Sequence, residues 1–75
     1  MSPPPAGRVT RLLPKADHGF ITLDDGQEVY FHRHSVAADG FDALRIGDAV
    51  TLIMSEGEEG PQASLVRHSG QGPGA

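Results

Sequence analysis

The sequence predicts an all-β fold in which five short antiparallel strands close into a small barrel. The chain has 75 residues, which is room for one domain with one core. Apolar and polar residues alternate over short stretches, and no helical stripe of useful length is present. Turn-forming residues separate these stretches. Short strands in so short a chain usually close into a barrel.

The strands follow one another at short spacing. They are predicted at residues 8–13, 18–23, 27–33, 49–54 and 61–67. The first ends at Pro14, because proline has no N–H to donate to a neighbouring strand. Asp24-Asp25-Gly26 separates the second strand from the third, and Asp-Gly supplies the positive φ of a tight hairpin turn. Residues 35–42 are predicted to be irregular with room for one short helical turn, and residues 56–60 to form a loop.

Both ends of the chain are predicted to be disordered tails. All charged residues fall between Arg8 and Arg67, which leaves residues 1–6 and 69–75 uncharged and rich in Pro, Gly and Ser. The predicted domain is therefore residues 7–68.

The composition excludes several classes of function. The chain has no cysteine, hence no disulfide framework or cysteine nucleophile, and a reducing cytoplasm is the expected compartment. No apolar run approaches the roughly 20 residues of a membrane span, and the N-terminus lacks the pattern of a secretory signal, so no membrane partner is expected. Ser35 and Ser64 lack the context of an activated nucleophile, and Gly19 and Gly26 lack a phosphate-loop pattern. We therefore predict a protein that is not an enzyme and needs no cofactor.

The net charge opposes a nucleic-acid-binding function when it is taken alone. The formal charge is -4 and the pI is near 5.3, whereas phosphate contacts favour Lys and Arg. The charge is unevenly distributed, however. Up to Ala38 four basic residues balance four acidic ones, and the remainder carries two basic and six acidic residues. The negative charge thus belongs to the far half of the chain.

Strand alternation divides the side chains between a core and an outer face. The predicted core consists of Val9, Ile21, Val29, Phe31, Val50, Leu52, Met54 and Val66. Two aromatics, Phe20 and Tyr30, and two histidines, His18 and His32, are left on the outer face of neighbouring strands. Rings exposed side by side on a sheet are unusual and indicate a binding surface. The alternative is that they are ordinary surface aromatics partly covered by neighbouring side chains.

The histidines also permit a metal-site hypothesis. His32 and His34 are two residues apart on one side of a strand, and His18 could approach from the next. A closed zinc site needs four ligands, and no further Cys, Asp or Glu is obviously placed to complete the set. We therefore predict no metal.

Several segments, in order and at family spacing, resemble a known domain. They are Gly19-Phe20-Ile21-Thr22 with the turn Asp24-Asp25-Gly26, Val29-Tyr30-Phe31-His32, Asp39-Gly40-Phe41 through Leu44 and Gly47, and Glu56-Gly57 through Gly60-Pro61-Gln62-Ala63. Together they resemble a cold-shock domain, the small module that binds single-stranded nucleic acid. The resemblance implies a five-stranded antiparallel Greek-key OB-fold barrel that binds single-stranded RNA or DNA. It also implies RNA-chaperone or antitermination activity.

The resemblance implies which residues meet nucleic acid. Phe20, Tyr30, His32 and Phe41 match positions on which bases stack, and Gln62 matches a polar residue near that surface. Phe41 could instead pack its loop onto the barrel.

Three family stacking positions are substituted in this chain. Arg11 stands where the family usually has Trp, His18 where it has Phe, and Arg33 where it has Phe after the strand-three His. Arg and His also stack on bases and can carry positive charge. We therefore expect Arg11, Lys15 and Arg33 to meet phosphates or bases, with the alternative that they are solvated surface charges.

The substitutions and the charge distribution imply weaker and less salt-dependent binding than that of a basic homologue. A monomer is expected, because a closed barrel leaves few free strand edges. The alternative function is a protein-interaction module on a degenerate barrel, with the acidic far half meeting a basic partner.

Overall fold

The computed structural model describes residues 5–57 and 60–68, with the backbone alone at Asp39. This part of the chain contains five strands, namely β1 (Ala6–Leu13), β2 (His18–Leu23), β3 (Glu28–His32), β4 (Ala49–Gly57) and β5 (Gly60–His68). Short 3₁₀ helices lie at Pro14–Ala16, Arg33–Ser35 and Ala37–Ala43. Among the described residues no helix is long and apolar enough to cross a membrane.

The strands form a closed barrel in the order β1-β2-β3-β5-β4, and β4 pairs with β1 to close it. All neighbouring pairs are antiparallel except β3 and β5, which run parallel and pair Tyr30 with Gln62 and Phe31 with Ala63. The prediction of an antiparallel barrel is thus correct for every pair but this one. A closed ring of five strands cannot reverse direction at every neighbour, so one pair has to be parallel.

The barrel extends further towards the N-terminus than the predicted domain boundary at residue 7. Ala6 pairs with Thr51, and its carbonyl accepts a hydrogen bond of 3.3 Å from the Asp24 N–H. The Pro5 carbonyl accepts another, of 3.0 Å, from the Leu52 N–H. These backbone bonds make Pro5 and Ala6 part of the fold. The remainder of the predicted tails, residues 1–4 and 69–75, lies outside the described residues.

The barrel interior contains the core that strand alternation predicts. All the predicted core residues are buried except Met54, which lies near the hairpin end of β4 and packs against the core from a partly buried position. Further buried side chains come from two other parts of the chain. The β3–β4 connection supplies Val36, Phe41 and Leu44, and β5 supplies Ala63. The predicted irregular segment is wound into 3₁₀ turns, and it contributes Val36 and Phe41 to the core.

A missing side chain at Gly19 allows β2 to lie close to the core. A Cβ atom at Gly19 would stand 2.9 Å from the Phe31 ring and 2.7 Å from the Arg11 carbonyl oxygen. Both approaches are too close for any larger residue, so glycine is required for the packing of Phe31 in the interior. His18 and Phe20, the two neighbours of Gly19 in the sequence, then point to the opposite side of the strand.

Candidate nucleic-acid interface

Three rings form a continuous cluster on the outer face of β2 and β3. In the β2–β3 register Phe20 lies opposite Tyr30, and His18 lies opposite His32. The ring centroid of His18 is 5.7 Å from that of Phe20 and 5.2 Å from that of Tyr30, and the Phe20 and Tyr30 centroids are 6.0 Å apart. All three side chains are half-buried. We call His18, Phe20 and Tyr30 the ring cluster.

A β-bulge in β1 brings Arg11 to the edge of the ring cluster. The pairing with β2 shifts between Val9, which faces Ile21, and Arg11, which faces Phe20. With strict alternation Arg11 would share the buried side of Val9, and the extra residue of the bulge turns it outward. Its guanidinium carbon lies 5.8 Å from the Phe20 ring centroid, within the range of a cation–π contact. Lys15 is exposed in the 3₁₀ helix that leads from β1 to His18.

The two histidines at the end of the sheet use their ring nitrogens differently. The Nδ1 atom of His18 lies 3.2 Å from the Ala16 carbonyl oxygen, which can only accept, so Nδ1 donates and Nε2 is the free nitrogen. The Nδ1 atom of His32 accepts a 3.1 Å hydrogen bond from the His34 backbone N–H, and the His32 and His34 rings are 4.8 Å apart.

Arg33, predicted to meet phosphates or bases, is held by two carboxylates of the protein. Its Nε atom donates to Asp17 at 2.9 Å and its Nη1 atom donates to Asp42 at 3.0 Å. The hydrogen bond to Asp17 is the largest contribution that raises the pKa of Arg33 above its ordinary value, and Asp42 adds to it. The guanidinium carbon also lies 4.6 Å from the Phe41 ring centroid. We call Arg33, Asp17 and Asp42 the Arg33 clasp.

Phe41 packs its loop onto the barrel, which is the second of the two roles predicted for it. The residue is 3% exposed, and its ring centroid lies 6.0 Å from that of the core residue Phe31. The Arg33 guanidinium covers the ring. Phe41 thus offers no free face to a base in this conformation, in contrast to the rings of the ring cluster.

A groove of about 640 Å³ runs between the ring cluster and the β4–β5 hairpin. Its lining residues are Phe20, Tyr30, Glu56, Gly57, Gly60, Pro61 and Gln62. The parallel pairing of Tyr30 with Gln62 places the predicted residue Gln62 beside the ring cluster. Glu56 was not among the predicted site residues. The sequence gave one signal for its place in the groove, namely that Glu56 and Gln62 lie close together on either side of the predicted loop at residues 56–60.

Among the side chains that the structure describes, the histidines form no metal cluster with acidic neighbours. Within residues 5–57 and 60–68 there is no group of three or more His, Asp or Glu side chains arranged to hold a metal ion. The interface instead consists of rings, one bordering cation and a groove lined by a carboxylate and an amide.

The fold agrees with a comparison against protein families. A family model described as the 'Cold-shock' DNA-binding domain matches residues 6–69. The chain belongs to the cold-shock domain family. The barrel is therefore the family's OB-fold, and members of this family are generally binders of single-stranded nucleic acids rather than enzymes.

The chain is similar to cold-shock proteins over most of its length. A cold shock-like protein of Thermotoga maritima is 38% identical over 61 residues, which cover 81% of this chain and 92% of the relative. Cold shock protein CspV of Vibrio cholerae is 37% identical over 67 residues, or 88% of this chain and 96% of the relative. Cold shock protein CspD of Bacillus subtilis is 35% identical over 60 residues, which cover 80% of this chain and 91% of the relative.

Proposed function

We propose that this cold-shock domain binds single-stranded RNA or DNA by stacking bases on the ring cluster and His32. A strand held in this way cannot pair, which is the physical basis of an RNA chaperone or a regulator of transcription or translation. The observation that carries the proposal is the ring cluster itself, three rings whose centroids lie within 6.0 Å of one another on the outer face of two adjacent strands. Stacking of this kind accepts any base, because every base has a π-face.

We further propose that binding is weaker and less salt-dependent than in basic, aromatic-rich relatives. The Arg33 charge is balanced by Asp17 and Asp42, and Phe41 is buried. Arg11 and Lys15 are then the predicted site cations that remain exposed. Few phosphate contacts give a shallow dependence of affinity on salt, because few counterions are released.

Intrinsic fluorescence tests the proposal directly. Tyr30 is the single tyrosine and the chain has no tryptophan, so the emission reports on the ring cluster alone. A short single-stranded oligonucleotide should quench it, and a duplex of the same nucleotide concentration should compete poorly, since paired bases cannot reach the rings. An unchanged signal would favour the alternative, a protein-interaction module that uses the acidic half of the chain. Equal competition by duplex would indicate a merely electrostatic contact.

A further inference from the structure

A small depression lies on the outer face of β4 and β5, whereas the ring cluster lies on β2 and β3. Its volume is about 250 Å³, and its lining residues are Thr51, Leu52, Ile53, Leu65 and Arg67. We call these residues the Arg67 patch. Ile53 pairs with Leu65 across the two strands, and both point outward because Leu52, which precedes Ile53, is buried. Ile53 is 54% exposed, so the patch offers an aliphatic surface to solvent.

Positive charge borders this apolar surface, although β4 and β5 lie in the acidic half of the chain. Arg67 is exposed on β5, and Arg8 is exposed on β1, which pairs with β4. Neither arginine lies within ion-pair distance of a carboxylate that the structure describes. The Asp48 carboxylate, just before β4, already accepts two hydrogen bonds within the protein. Residues 1–4 and 69–75, which adjoin these strands in the sequence, contain no charged side chain. The patch therefore attracts a carboxylate.

We infer that the Arg67 patch binds an extended segment of another protein in which an aliphatic and an acidic residue stand two positions apart. The apolar pair Ile53 and Leu65 lies two residues along the strands from Arg67, which is about 7 Å. In an extended segment, residues two positions apart point to the same side and have the same spacing. The aliphatic side chain of the partner packs against Ile53 while its carboxylate pairs with the Arg67 guanidinium.

Two other occupants match the Arg67 patch less well. A single nucleic-acid strand binds through stacked bases and phosphate contacts, and the described lining of the patch contains no aromatic ring. A second copy of this chain, packed through a two-fold axis, would bring the same surface of both copies together. Each Arg67 would then face a patch that holds no carboxylate. The inference is independent of the proposed function, because the patch and the ring cluster share no strand.

Amide chemical shifts of the isotope-labelled chain test the inference. The probe is a capped peptide that repeats Leu-Ser-Asp-Ser, which places leucine and aspartate two positions apart. We expect the probe to shift the amides of the Arg67 patch and not those of the ring cluster, with an affinity in the micromolar to millimolar range. Control peptides that replace aspartate by lysine, or leucine by serine, should each bind at least about threefold more weakly.

Three variants assign the binding to the patch, and their amide spectra show whether each is folded. Arg67→Gln removes the charge but keeps a long side chain, and it should weaken probe binding about two- to fivefold. Ile53→Ser removes the aliphatic contact and should weaken it at least about fivefold. Arg45→Gln makes the same charge change outside the patch and should bind the probe like the parent.

Four results would overturn the inference. They are no shift at the patch with millimolar probe, equal binding of the lysine peptide, patch shifts that depend on the concentration of the chain alone, and patch shifts with an oligonucleotide but not with the probe. The third result would indicate a second copy, and the fourth would indicate nucleic acid. Failure of an oligonucleotide to shift the ring cluster would refute the proposed function alone.

Discussion

Replacement of Phe20 by alanine should separate binding from folding. The Phe20 ring is half-buried and lies within 6.0 Å of the His18 and Tyr30 rings and 5.8 Å of the Arg11 guanidinium. Loss of a stacking ring costs about 1–3 kcal/mol of binding free energy per base, which is about 5- to 150-fold in affinity. Loss of its ring contacts should lower the free energy of unfolding by about 1–2 kcal/mol, since one aromatic pair contributes about 0.5–1.5 kcal/mol.

A core phenylalanine provides the scale for this stability loss. Phe31 is fully buried, and its replacement by alanine should cost about 3–5 kcal/mol. Ile53, which is 54% exposed on β4, provides the control for binding, because it lies outside the ring cluster and the groove. Urea denaturation followed by Tyr30 fluorescence measures stability, and anisotropy of a labelled oligonucleotide measures binding. The reasoning fails if Phe20→Ala binds as tightly as Ile53→Ala, or if it destabilises the chain as much as Phe31→Ala.

Two further predictions concern charged groups. The hydrogen bond from the Arg45 N–H, and then that of the His68 ring, lowers the pKa of Asp48. The ionised carboxylate therefore stabilises the fold above the unfolded-state pKa near ~4, and this contribution is lost as the pH falls through the lower folded-state pKa. Thermal melts across pH should show Asp48→Ala destabilised by about 1–2 kcal/mol near pH 7 and by progressively less below about pH 4. The double variant Asp17→Asn, Asp42→Asn should release Arg33 and raise both the affinity for a single strand and the salt dependence of that affinity. The control Asp24→Asn, Asp25→Asn makes the same change in net charge and should have a smaller effect. Equal effects of the two double variants would mean that the Arg33 clasp does not restrain binding.

The sequence predicts the strands and most of the core because both follow from alternation along the chain. Ile21, Val29 and Phe31 are buried where a period of two places them. Val36 and Leu44 are buried as well, but they lie in or beside short 3₁₀ turns, where neither strand nor helix periodicity applies. A pattern argument has no means of assigning a face in such a segment.

The site is only partly predictable because its contacts join residues distant in sequence. The outward position of Phe20 and Tyr30 is a local property of two strands. The environment of Arg33 depends on Asp17 and Asp42, and the three come together only when the β1–β2 and β3–β4 connections have folded. Arg11 faces outward because of a bulge that the sequence does not signal, and Glu56 joins the groove through the β4–β5 hairpin.

The charges around the ring cluster are arranged with opposite signs on its two sides. Arg11 borders Phe20 from β1, while Glu56 lines the groove on the side of the β4–β5 hairpin. A nucleic-acid strand is charged on its backbone and neutral on its bases. If its bases stack on the rings, electrostatics places the backbone on the Arg11 side and the base edges towards Glu56. The Glu56 carboxylate is then compatible with binding, because it repels phosphates and not uncharged bases.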